Sequence, residues 1–365
     1  MIKKSWSGTY YSTREALELA GHKVTWIKYV DDSLILKLSR KFYTLFYGKG
    51  SFTHSRISSK LKVRTVHDDL EKYDIIFIPG QVDIVAGIKT NTPIIYYTDG
   101  TVPLMLDYYW FGFKKRAIKE AKRVEIDAAK NTSMNIYSSE WARNSAVKDY
   151  KIPKEKTAVL TFGANLTYSD IDNMNIESLI ERKSKHKQIN IIFSGVDWKR
   201  KGGELVVAAC KKLISDGYDV KLTIVGIRDL DSSILNLEFV HNLGFLNKEV
   251  DEQNQTYLNA WKNADVLVLP TRAECSAIVF NEAAAFGVPV LTTDTGGIAD
   301  YVKNNINGYR LPLSASGEEY ALKLEEWIKE EKLPEFSRNA RNLYETDNSW
   351  KAWGRKFNKL LQDII

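Results

Sequence analysis

Cysteine is nearly absent from this 365-residue chain: only Cys210 and Cys275 occur, far apart. That excludes a disulfide framework and fits a reducing cytoplasm. No Cys-x-x-Cys spacing or His/Cys cluster points to zinc. No apolar run reaches the roughly 18–20 residues of a membrane span, and the first residues do not read as a signal peptide. Fixed-period repeats and low-complexity tracts are missing, as is any recognised nucleic-acid motif. What is present is a packed globular composition, 44% hydrophobic and 12% aromatic. The length exceeds one ordinary core and points to two domains.

Charge is unevenly divided. Residues 1–163 carry 27 Lys and Arg against 17 Asp and Glu, an excess of ten positive charges, whereas residues 164–365 carry 25 against 29. A basic first half suits an anionic membrane surface, an acidic acceptor or nucleic acid; a plain solvated face is the other reading.

Strand-like and helix-like stretches alternate along the whole chain, which predicts an α/β fold with parallel sheets. In the first half, 22–29, 75–79, 92–97, 135–138 and 157–160 read as strands, and 11–20 and 110–129 as helices. Residues 166–188 are polar and without apolar alternation, and read as a link. The second half shows strands at 189–194, 220–225, 237–240, 265–270 and 288–292, with helices at 203–216, 252–263 and 277–286. A Trp-rich amphipathic tail, 350–365, ends the chain. Ser5-Trp6-Ser7-Gly8-Thr9 looks like a strand-to-helix loop, yet only four residues precede it, so a missing first strand is expected.

The stretch 265–297 is the most informative. A buried strand ends in Pro270, a loop follows, and a helix opens near Ser276 and is stopped by Gly287 and Pro289. Glu274 and Glu282 lie on the loop and the helix with seven residues between them. A loop at the carboxyl end of a parallel strand is where open α/β sheets place ligands. The amides near Ser276, Ala277 and Ile278 are left over by the helix start and suit a phosphate oxygen. The pattern therefore fits a sugar carrying a phosphate.

These residues resemble the retaining glycosyltransferases of family 4. The resemblance rests on Gly195-Val196-Asp197-Trp198-Lys199-Arg200-Lys201-Gly202-Gly203, on the Glu274/Glu282 pair, on Gly287-Val288-Pro289-Val290 and on Thr295-Gly296-Gly297. In the first half it rests on Trp6-Ser7-Gly8-Thr9, on Asp99-Gly100-Thr101 and on Ser138-Ser139-Glu140-Trp141-Ala142. It implies a GT-B architecture: two Rossmann-like domains facing a central cleft. Residues 1–163 would be the acceptor-side domain, 164–346 the nucleotide-sugar-binding domain, and 347–365 a helix crossing back to the first. It implies a nucleoside diphosphate sugar as donor, no metal and no further cofactor. The partners it implies are the nucleotide sugar and a glycan, lipid-linked or small-molecule acceptor, with no nucleic acid.

The resemblance also assigns roles. Lys199, Arg200 and Lys201 follow a strand, and fixed cations there can replace a divalent metal on the departing diphosphate, because Arg grips phosphate through two parallel N–H bonds. Members of the family typically carry Arg where this chain has Val196; Arg200 is taken as its stand-in and Lys201 as the usual lysine. Glu274 would hold the donor sugar and Glu282 the ribose hydroxyls. Gly195, Gly226, Gly244 and Phe245 would line the nucleotide at strand ends, and Gly8 and Thr9 would meet the diphosphate or sugar from the opposite domain. Asp99 stands where many members have a catalytic His; an Asp before Gly is also an ordinary turn. The catalytic set is Asp99, Lys201 and Glu274. No enzyme nucleophile is expected, in keeping with the lack of a Ser/His/Asp or Cys/His signature.

Two basic-aromatic pieces, 33–52 and 108–123, suit the surface of an anionic bilayer; core aromatics with charged outer faces are the alternative. The expected location is cytoplasmic, with a peripheral seat on the inner face of the plasma membrane left open. Competing functions are a non-catalytic sugar-nucleotide-binding partner of a transferase and a GT-B sugar-nucleotide epimerase.

Overall fold

The computed structural model describes residues 8–171, 174–185, 187–362 and 364. It separates into two compact units, one of Thr13–Thr161 with Gly354–Ile365, the other of Met1–Ser12 with Phe162–Trp353.

The first unit is built on four parallel strands, β1 (Ile76–Pro79), β2 (Ile94–Thr98), β3 (Met134–Tyr137) and β4 (Thr157–Val159), in that spatial order. β2 and β3 are buried along their whole length, as expected of parallel strands covered on both faces. The helix Lys115–Asn131 lies between β2 and β3 in sequence and buries Ala117, Ala121, Val124 and Ala128, a stripe at helical spacing. Ser139 caps the next helix, Glu140–Tyr150, by accepting from the Ala142 amide.

Several sequence expectations shift here. Residues 22–29 join no sheet: Trp26 is 38% exposed, and the Val30 amide beyond them donates to the Thr65 hydroxyl rather than to a strand. A strand-like local sequence does not by itself supply a pairing partner. The helix expected from residue 110 starts at Lys115, because 107–110 form a tight turn in which the Trp110 amide donates to Met105 O. Helices Leu34–Tyr47 and Arg56–Val63, capped by Ser33 and Ser55, were not anticipated. Ser5, Trp6 and Ser7 lie outside the described residues; Gly8 precedes the helix Thr9–Leu19.

The second unit holds six parallel strands: β5 (Ile189–Ser194), β6 (Val220–Val225), β7 (Val240–Gly244), β8 (Val266–Leu269), β9 (Val290–Thr293) and β10 (Gly308–Leu311). Their order is β10-β9-β8-β5-β6-β7. The chain starts in the middle, winds outward through β6 and β7, then returns to the other flank of β5. The reversal lies between β5 and β8, and a sheet wound this way binds ligands outside the carboxyl ends of those two strands. The strand expected at 237–240 runs instead from Val240 to Gly244, because pairing with β6 begins at Leu222 opposite Val240 and carries a bulge near Val225. The supposed link at 166–188 belongs to this unit. It contains the helix Ile176–Ser184, with Ile171 and Ile180 buried; Asp172, Asn173 and His186 lie outside the described residues. The closing helix, Trp350–Leu361, contributes to both units, and Asp363 and Ile365 beyond it are not described.

Candidate active site

The loop after β5 is a tight coil held by its own backbone. The Lys201 amide donates to Asp197 O at 3.0 Å and the Gly203 amide to Trp198 O at 2.9 Å, while the Asp197 carboxylate accepts from the Arg200 amide at 3.1 Å. Gly202 has φ +76°, and a Cβ there would lie 2.1 Å from Pro270 O at the end of β8. Only glycine lets the two loops come this close. They are then stitched together, the Arg272 amide donating to Arg200 O at 2.8 Å.

That stitching brings together side chains 73 positions apart. The Lys201 ammonium donates to the Glu274 carboxylate. Arg200 Nη1 donates to Ala273 O at 2.9 Å and lies 3.6 Å from Glu274 Oε2. Lys201 and Glu274 are each 7% exposed. A buried ion pair of this kind contributes little net stability but is costly to break. Lys199 and Val196 point outward, Val196 being 70% exposed; of the three basic residues, Arg200 and Lys201 reach Glu274.

The helix Ile278–Ala285 opens beside this cluster. Its cap, Ala277, supplies no side-chain acceptor, so the amides about Ser276, Ala277 and Ile278 form an end suited to an anion. Glu282 lies one turn further in and is buried. Its two oxygens are held separately, Oε1 by the Lys248 ammonium at 2.6 Å and Oε2 by the Tyr257 hydroxyl at 2.6 Å. Burial, then the Glu282 charge, push the Tyr257 hydroxyl well above its usual pKa, so it remains a donor. Lys248 also donates to Asn165 O at 3.1 Å.

Three glycines line the carboxyl ends of β5, β6 and β7. A Cβ on Gly226 would lie 2.4 Å from Gly195 O, and the Gly226 amide donates to Gly244 O at 2.7 Å. The result is a floor of bare backbone. At its edge Phe245 is 39% exposed, with the Arg228 guanidinium 4.0 Å above its ring.

Gly195, Arg200, Lys201, Gly226, Gly244, Phe245, Glu274, Ser276, Ala277, Ile278 and Glu282 therefore all lie at or next to the carboxyl edge of one sheet. Gly8 and Thr9 fall in the same unit, whereas Asp99 follows β2 in the other. Lys248, Tyr257 and Arg228 escaped the sequence reading. Lys248 lies in the loop after β7, a position that strand ends alone could have flagged; nothing in the sequence marks Tyr257. Among the described residues no group of three or more His, Cys, Asp or Glu side chains is arranged to hold a metal, and no helix is long and apolar enough to cross a membrane.

Two α/β units, the second wound outward from its central strand with a charged cluster at the switch point, define the GT-B class. The fold agrees with that of a glycosyltransferase from Rickettsia africae, at TM-score 0.64 and 16% identity, covering 98% of this chain and 95% of that one. It also agrees with the Anabaena protein HepE in complex with UDP, at TM-score 0.59 and 17% identity, covering 80% and 79%. In sequence, the chain is 25% identical to the capsular polysaccharide biosynthesis glycosyltransferase CapM of Staphylococcus aureus over 78% of this chain and 75% of that protein. Residues 175–343 match the family described as glycosyl transferases group 1. That segment resembles the group 1 glycosyltransferases, and with the matched relatives it supports a transferase.

Proposed function

We propose that this glycosyltransferase moves a sugar from a nucleoside diphosphate sugar to a glycan, lipid-linked or small-molecule acceptor, retaining the anomeric configuration and using side-chain cations rather than a metal ion. The observation that carries the reading is the Lys201–Glu274–Arg200 cluster at the switch point between β5 and β8. The UDP bound in the Anabaena structure makes uridine nucleotides the first donors to test.

In this scheme the diphosphate displaces Glu274 from Lys201, and Glu274 turns to the hydroxyls of the donor sugar. The bond from the anomeric carbon to the diphosphate oxygen then breaks, and its electron pair stays on that oxygen. Lys201 and Arg200 oppose the charge that builds there. One such pair at 4 Å is of order 4 kcal/mol at a surface-like dielectric, before desolvation. The acceptor hydroxyl bonds to the anomeric carbon on the face the diphosphate leaves, and its proton passes to the departing phosphate oxygen. Glu282 holds the ribose diol, and Gly8 and Thr9 face the diphosphate or sugar. Asp99 is assigned to the acceptor hydroxyl or to the positive charge at the anomeric carbon.

The test is release of nucleoside diphosphate from a panel of donors, with and without EDTA. Turnover should survive the chelator, and the product should keep the donor's anomeric configuration by NMR. Lys201→Ala should lower kcat by about 10²–10³ with a smaller change in donor affinity, since the charge it opposes grows in the transition state. A loss confined to donor binding would reduce Lys201 to an anchor. Binding without turnover would make the chain a partner of another transferase. Free epimerised sugar without an acceptor would make it an epimerase.

A further inference from the structure

The helix Leu34–Tyr47 leaves an unusual face uncovered. Leu34, Ile35, Leu38, Phe42, Leu45 and Phe46 are 73%, 64%, 57%, 55%, 80% and 54% exposed. At 100° per residue these six side chains fall within about a third of the helix circumference. The opposite side carries Leu36 and Tyr43, both buried in the first unit. The helix is therefore seated on its own domain and turns a second apolar stripe outward.

Basic residues border that stripe on both sides. Lys37 and Lys41 are exposed along one flank of the same helix. On the other flank, a groove beside Phe42 and Phe46 is bordered by Arg116, Lys119 and Arg123, exposed residues at turn spacing on the helix Lys115–Asn131. The nearby acids are engaged: Asp32 pairs with Lys37 at 3.0 Å, and Glu120 is buried and accepts from the Arg56 amide.

We propose that this face docks the protein on an anionic lipid bilayer, the apolar stripe entering the headgroup boundary and the two basic rims meeting lipid phosphates. A helix lying in the interface needs this combination of bulky apolar side chains and flanking Lys/Arg. Charge decides between occupants. A second copy of the chain would bring basic rims against basic rims, whereas an anionic surface neutralises both at once. The inference is independent of the donor chemistry and is read without nucleotide.

The experiment is flotation of the full chain with vesicles of phosphatidylcholine alone or mixed with phosphatidylglycerol. The protein should float with the mixed vesicles and not with phosphatidylcholine, and binding should weaken as salt rises. Combined Arg116→Gln, Lys119→Gln and Arg123→Gln should weaken partitioning about a hundredfold and flatten its salt dependence. Combined Leu38→Ser, Leu45→Ser and Phe46→Ser should abolish it. All six side chains are exposed, so the melting temperature should be unchanged, and nucleoside diphosphate release from a water-soluble acceptor assay should persist. Equal flotation with both vesicle types, or binding indifferent to both triple variants, overturns the proposal. So does a lipid-free dimer that the serine variant dissolves, since that would assign the face to self-association.

Discussion

At the scale of single residues, the charged groups at the strand ends hold one another in place. Glu282 holds Lys248 and Tyr257 with separate oxygens, which fixes the carboxylate. A bidentate carboxylate–diol contact is worth roughly 1.5–3 kcal/mol, so Glu282→Ala should weaken nucleotide binding by about one to two orders of magnitude. Titration calorimetry with UDP checks it; an unchanged affinity would remove the ribose assignment. Little of this support was legible in the sequence. Glu274 and Glu282 stand out because a strand, a Pro and a Gly-Val-Pro-Val run frame them. Lys248 and Tyr257 do not, because their approach to Glu282 depends on where the loop after β7 and the helix Asp251–Asn263 come to rest.

At the scale of elements, one half-buried carboxylate ties together three segments of the first unit. Glu125, on the helix Lys115–Asn131, accepts from the Val102 amide at 2.8 Å and from the Tyr150 hydroxyl. Burial outweighs these two donors and raises its pKa to about 7. The folded state therefore holds a proton that an unfolded chain releases near the ordinary carboxyl value of 4.5. The stability this adds is fully present below that value and is lost as pH rises through about 7. The first unit should thus melt at a lower temperature at pH 8 than at pH 5, and Glu125→Gln, which keeps the shape and cannot ionise, should remove most of this dependence. Calorimetry across that window tests it. Sequence periodicity found the helix carrying Glu125 but not its start, and it overlooked the helix Leu34–Tyr47. There, two apolar stripes and a basic flank blur the single-sided pattern that marks an ordinary amphipathic helix.

At the scale of the whole molecule, the chain does not divide at one point. Its last helix changes units at Gly354. Beyond that point Phe357 is 2% exposed and packs edge-on against Phe77 and His22, with centroids at 5.5 and 5.9 Å. Asn358 donates to Ala20 O at 2.9 Å. A Cβ on Gly354 would lie 3.0 Å from Ala16 O, so that position is already closely packed. Phe357→Ala should therefore destabilise the first unit by about 3–5 kcal/mol, seen as a lower denaturant midpoint, while UDP affinity in the second unit is retained. A loss of both together would mean that the units unfold as one.

The sequence by itself determined the α/β alternation, most of the strands and the glycine-framed loops. These are local properties: short apolar runs, helix stops and the conformational freedom of glycine act over a few residues. It also supplied the family resemblance, through motifs that are contiguous in the chain. Only the tertiary structure decided that Lys201 rests on Glu274, that Glu282 is held by Lys248 and Tyr257, and that six apolar side chains of the helix Leu34–Tyr47 face outward. Each of these depends on which surfaces the packed elements cover and how closely distant loops approach, and both are settled by the sheet order and by backbone contacts such as that of Gly202 with Pro270.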